Sequence, residues 1–221
     1  MKIMNKNNLI HNITKSLFWQ YIIVTIIMMI FYTGGHRYSP ELTYYILDQN
    51  YLSDLGRSVS YAGNSNPAYI FYSLTLGIIG IGIFLFFVQI SAGLSTLKKS
   101  VILLCGLLSA IGYIGIAVYP ADVNLHVHII YAQSAFFGFF ITTLLSQIFL
   151  DKRKYTTANR LFTILNIALF LYLILIFFGP SSSQGAWALQ LKTIAQKIMV
   201  YGQILICLGV LKNMRMINQT A

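Results

Sequence analysis

Residues 68–90 read AYIFYSLTLGIIGIGIFLFFVQI, 23 consecutive positions without a charged side chain. Crossing the hydrocarbon core of a bilayer as a helix takes roughly 20 such residues. Five more stretches have the same character: residues 17–33, 101–119, 127–150, 161–178 and 187–211. The ten-residue alternating segments of a membrane β-barrel are absent. Over the whole chain of 221 residues, 57% are hydrophobic and 9% are charged, against about 25% charged in a soluble domain. The expected fold is therefore an all-α membrane protein, a bundle of six transmembrane helices.

Short connections leave little room for a soluble domain. The expected organisation is a lead-in at 1–16, a six-helix transmembrane domain at 17–213 and a tail at 214–221, with one long connection at 34–67. The first apolar run follows Lys2, Lys6 and Lys15, as a signal sequence would. It is too long for a simple signal core and lacks a small-x-small cleavage site before Tyr32, so it reads as a retained span.

The net charge of +10 is explained by topology rather than by nucleic acid. Eleven of the 15 Lys and Arg fall in the lead-in, the 91–100 and 151–160 connections and the tail. Only Arg37, Arg57, Lys192 and Lys197 fall on the other side. The positive-inside rule then places both termini in the cytoplasm and loop 34–67 outside. Abundant Lys, Asn, Ile and Tyr fit an AT-rich bacterial genome, hence a bacterial cytoplasmic membrane. Cys105 and Cys207 lie in apolar spans near the cytoplasmic side, where a disulfide is not expected.

Small residues recur three and four apart: Ser73, Gly77 and Gly80; Gly106, Ser109, Gly112 and Gly115; Ala135 and Gly138. Such spacing lets helix backbones approach, making spans two to four the expected core. Pro40-Glu41 suits the start of a short helix in the long connection. In span six, Lys192, Gln196 and Gln203 share a face, which should point into the bundle or a wet vestibule.

Four of the five acidic residues and three of the four histidines lie in or next to two outer connections. Asp54 and Arg57 are three apart, either a surface ion pair or part of a lid with Asp54 turned inward. Asp122 stands where an N-cap for span four belongs. Asp122 and His126 are four apart; on a helix they share a face, and a carboxylate there orients an imidazole. Gln133 and Ser134 extend that face. His-Glu-x-x-His, Cys-x-x-Cys, Gly-x-Ser-x-Gly and P-loop motifs are absent and redox cofactors have no evident ligands, although the Asp122 and His126 spacing could offer two ligands to a metal; no metal or cofactor is expected.

Ser53-Asp54-Leu55-Gly56, Asn66-Pro67 and Gly115…Tyr119-Pro120-x-Asp122-x-x-x-His126 resemble the motifs of a prokaryotic six-span family, the domain of unknown function nine-nine-eight. The chain is also distantly similar to the FRAG/DRAM/SFK membrane family, over about residues 17–212. Tyr119 and Tyr72 stand where members often carry Phe and Asn. The resemblance implies six spans with outward motifs and no particular activity.

The functional expectation is an outward polar site that binds or translocates a lipid headgroup or small solute. Asp54, Arg57, Asp122, His126, Lys192 and Gln196 are its candidate ligand-binding residues. Two alternatives stand beside it: a structural or accessory membrane protein, and an outer-face lipid hydrolase using Asp122 and His126, with Asp54 as second carboxylate. The hydrolase lacks an identified nucleophile, so a binding role is favoured over an enzyme. The expected partners are membrane lipid and a lipid or small-molecule ligand.

Overall fold

A computed structural model describes residues 6–220, with side chains described over 8–216. Residues 1–5 of the expected lead-in, Lys2 among them, and Ala221 of the tail lie outside the described residues. Six helices follow one another: α1 Lys6–Phe31, α2 Ala68–Ile90, α3 Thr96–Val118, α4 Leu125–Phe149, α5 Thr156–Phe178 and α6 Ala186–Thr220. All six are long and apolar enough to cross a membrane. The architecture is that of a multi-pass membrane protein. No strand forms among the described residues, only isolated bridges at His36–Ser39 and Val59–Ser65.

Helical structure runs past the apolar spans. α1 begins at Lys6, so the described part of the lead-in is helical, and α6 carries the tail to Thr220. Hydropathy marks where a helix is apolar, whereas backbone hydrogen bonding continues until a breaker intervenes. Short connections make successive helices antiparallel. The described chain therefore has one end bearing loop 32–67, the cap end, and an opposite end where the start of α1 lies near the end of α6. There His11 of α1 and Arg215 of α6 interact electrostatically.

Close backbone approach sets the packing. A Cβ on Gly112 would sit 2.4 Å from the Ala135 nitrogen, and one on Gly138 would sit 2.8 Å from the Ser109 nitrogen. Ser109 Oγ also donates to the Ala135 carbonyl at 2.9 Å. The small residues of α3 and α4 thus form the contact their spacing predicts. Gly80 meets the Ala110 carbonyl, 2.9 Å from its would-be Cβ, and joins α2 to α3. Gly77 faces open space instead. Nearer the termini, Phe86 of α2 packs on Phe18, Phe87 and Phe162 with centroids 6.0, 5.1 and 6.4 Å away. Phe87 reaches Phe139 of α4 at 5.2 Å, so aromatic rings link α1, α2, α4 and α5.

The cap contains one helical turn, the 3-10 helix Leu52–Gly56, where Ser53-Asp54-Leu55-Gly56 stands. Pro40-Glu41 does not start a helix. The chain reverses there through the His36–Ser39 bridge, with hydrogen bonds of 3.2 and 3.1 Å. Gly34 and Gly35 make this turn possible at φ 99° and 77°. A Cβ on Gly34 would lie 2.3 Å from the Leu42 carbonyl, so both sterics and backbone require glycine.

Candidate functional site

Four side chains of α6 hold the cap. Gln190 Nε2 donates to Asp48 Oδ2 at 3.1 Å, and Thr193 Oγ donates to the Asp48 carbonyl. Gln196 Oε1 accepts from the Leu52 N–H at 2.7 Å. Lys197, buried, donates from Nζ to the Asn50 carbonyl. Positions 190, 193 and 196–197 recur at helical spacing and form a rail for the loop, in which Gln196 alone of the expected Lys192, Gln196 and Gln203 face takes part. Gln203, deeper on α6, donates to Tyr113 Oη at 3.3 Å inside the bundle.

Asn50 organises the cap from within. Its Oδ1 accepts from the Ile46 N–H at 2.9 Å, and its Nδ2 donates to the Gly35 carbonyl at 2.7 Å and to Asp54 Oδ2 at 3.2 Å. Asp54 Oδ2 also accepts from the Tyr51 N–H at 2.8 Å, closing the first turn of the 3-10 helix. Burial raises the Asp54 pKa to about 6, although these hydrogen bonds and the charges of Arg57 and Lys197 pull it down. Asp54 and Arg57 do not pair. Arg57 lays its guanidinium on the Tyr61 ring, 4.0 Å from the centroid, and donates from Nε to the Val59 carbonyl.

The second motif departs from expectation. The N-cap of α4 is Asn124, whose Oδ1 accepts from the Val127 N–H at 3.1 Å. Asp122 precedes the helix. It accepts from Ser58 Oγ at 2.6 Å and from the Val59 N–H at 3.0 Å, tying the third connection to the first. Burial pushes its pKa up, but these hydrogen bonds outweigh that and leave it below the usual value. Because Asp122 is outside α4, its spacing to His126 does not put the two on one face. His126 is exposed. His128 is the buried imidazole, with Nδ1 2.9 Å from the Tyr119 carbonyl. Ser134 turns back on its own helix, to the Ile130 carbonyl.

Between the cap and the cap-end halves of α4, α5 and α6 lies a cavity of about 460 Å³. The loop supplies Arg37, Tyr51, Ser53, Asp54, Arg57 and Tyr61. α4 supplies His128 and Gln133, α5 Tyr172, α6 Lys192 and Gln196, and the last connection Ser181 and Ser182. Leu125, Ile129, Ala132, Phe136, Leu175 and Ile176 make an apolar wall.

Of the six expected ligand-binding residues, Asp54, Arg57, Lys192 and Gln196 line this cavity. Asp122 and His126 do not: the first is committed to Ser58 and the second lies on another face of α4. Arg37 and His128 were missing from the expected set. Arg37 could have been found as one of four cations against the charge bias; nothing local distinguished His128 from His126. Among the described residues, no three His, Cys, Asp or Glu side chains cluster closely enough to hold a metal. Cys105 and Cys207 are free thiols. No protein-family model, curated protein or solved structure matches the chain.

Proposed function

We propose that this protein binds a membrane amphiphile at its cap end, head in the cavity and chain along the apolar wall that α4 and α5 form. In this reading the cap faces away from the cytoplasm of a bacterial cell, as the cation distribution favours. The observation that carries it is the two-sided lining of the cavity. Charged and hydroxyl groups gather under the loop, while Leu125, Ile129 and Leu175 continue toward the bundle surface. Leu125 and Ile129 remain 51% and 42% exposed, so the apolar wall is open to the outside of the bundle. A solute site closed to lipid would not need that continuity.

Kinship with the six-span family rests on the two motifs: Asp54 lines the cavity and Asp122 ties its roof to the third connection. The hydrolase built on Asp122 and His126 lacks a working pair. An accessory role keeps some support, because Asp48, Asp122 and Gln196 are all spent on fastening the cap.

Ala132→Trp tests the proposal by filling the cavity from its apolar side. Native mass spectrometry of protein extracted in maltoside should show bound lipid on the wild type and little on the variant. Equal lipid retention in a variant that elutes like the wild type would refute amphiphile binding in this cavity.

A further inference from the structure

We propose that the group held in the cavity is a phosphate with net negative charge, the head of an anionic phospholipid. This rests on the amphiphile reading above and adds the chemistry of the head.

The cations are unusually placed. Four of the 15 Lys and Arg depart from the charge bias, and three of these, Arg37, Arg57 and Lys192, line one cavity. Cations on a translocated segment run against the usual bias, so their convergence asks for a local reason. The protein supplies little of their counter-charge: Asp54 attracts Arg57, and no carboxylate hydrogen-bonds to any of the three. Neither the Arg37 nor the Lys192 side chain has a hydrogen bond or ion pair among the described residues, and the only side-chain hydrogen bond of Arg57 there is from Nε. Asp54 is the only carboxylate in the lining, and its Oδ2 already takes two hydrogen bonds. Asp48 and Asp122 are engaged elsewhere.

Three cations facing one carboxylate leave an excess of positive charge beside an apolar wall. A phosphate answers this surplus. Guanidinium groups offer forked donors matched to phosphate oxygens, and Lys192 adds a point charge. Ser53, also in the lining, carries a neutral hydroxyl donor. A choline head would meet three cations against one carboxylate here, and the Tyr61 face is already covered by Arg57.

The test uses the full-length chain in maltoside micelles, titrated separately with dioctanoylphosphatidic acid, dioctanoylphosphatidylcholine and inorganic phosphate. Phosphatidic acid should bind at least tenfold more tightly than either. Lys192→Gln combined with Arg37→Gln should weaken that binding at least tenfold and leave phosphatidylcholine unchanged. Lys152→Gln, a charge loss on the α4–α5 connection at the opposite end, should leave the affinity as it is. Equal affinity for the two lipids overturns the anionic head while sparing the amphiphile reading. Inorganic phosphate binding as tightly as phosphatidic acid keeps the phosphate site and removes the lipid. No binding of any of the three overturns both.

Discussion

Replacing Asp54 by Asn removes a carboxylate that is only 3% exposed and accepts two hydrogen bonds at Oδ2. Burial moves its pKa from 3.8 to about 6, against the opposing pull of Asn50, the Tyr51 N–H, Arg57 and Lys197. The folded state therefore holds the proton more tightly than the unfolded chain. The stabilisation from this group is full below the unfolded pKa and is lost as pH rises through about 6. At about 1.4 kcal/mol per pH unit, the whole effect is about 3 kcal/mol, of which about 2 falls between pH 4.5 and 7.5. Asp122 and His36 work in the opposite sense. The first is held below its usual pKa by hydrogen bonds that outweigh burial, and burial lowers the second, so each favours the fold as pH rises. The informative quantity is thus wild type minus Asp54→Asn, in which those contributions cancel. The amide introduced by the substitution would keep an oxygen for the Tyr51 N–H, so the change removes chiefly charge. Unfolding in maltoside micelles, followed by circular dichroism across that pH range, should give a difference that shrinks by about 2 kcal/mol toward pH 7.5. Parallel stability curves would refute the buried, proton-retaining carboxylate.

Gly112→Leu should separate α3 from α4, because a Cβ there would lie 2.4 Å from the Ala135 nitrogen; loss of monodisperse protein on size exclusion is the expected readout, and normal yield with unchanged melting would contradict the close approach. Asp122→Asn and Ser58→Ala should couple by about 1 kcal/mol in a double-mutant cycle, since one charge-assisted hydrogen bond of 2.6 Å joins them; additive effects would sink the tie. His126→Ala should change stability by no more than about 0.5 kcal/mol, whereas His128→Ala should cost about 1–3 kcal/mol by stranding the Tyr119 carbonyl; the reverse order would restore His126 as the structural histidine. Ser183→Cys should react with a membrane-impermeant maleimide added outside intact cells and Lys152→Cys should not, with the opposite pattern reversing the proposed orientation.

Six spans were legible because each residue's transfer cost from water to hydrocarbon is a local property that adds along the chain. The α3–α4 contact was legible for a related reason: glycine and serine at three and four residue spacing occupy one face wherever the helix is placed. The polar stripe of α6 was visible too. That Gln196 would reach the Leu52 N–H, and Lys197 the Asn50 carbonyl, was not, since no rule of spacing joins positions so far apart.

The Asp122–His126 pair shows where such reasoning stops. A separation of four places two side chains together only if both lie in the helix, and α4 begins at Leu125 behind an Asn124 cap. Starting the helix two residues later left Asp122 free to bind Ser58, and packing buried His128 rather than His126. By itself the sequence determined the six apolar helices, the small-residue seam and the unequal distribution of cations, all consequences of local composition and helical period. Only the tertiary structure decided that Arg37, Arg57 and Lys192 share one cavity with Asp54, because that meeting depends on how a 3-10 turn and a glycine-built reversal fold the long loop onto α6.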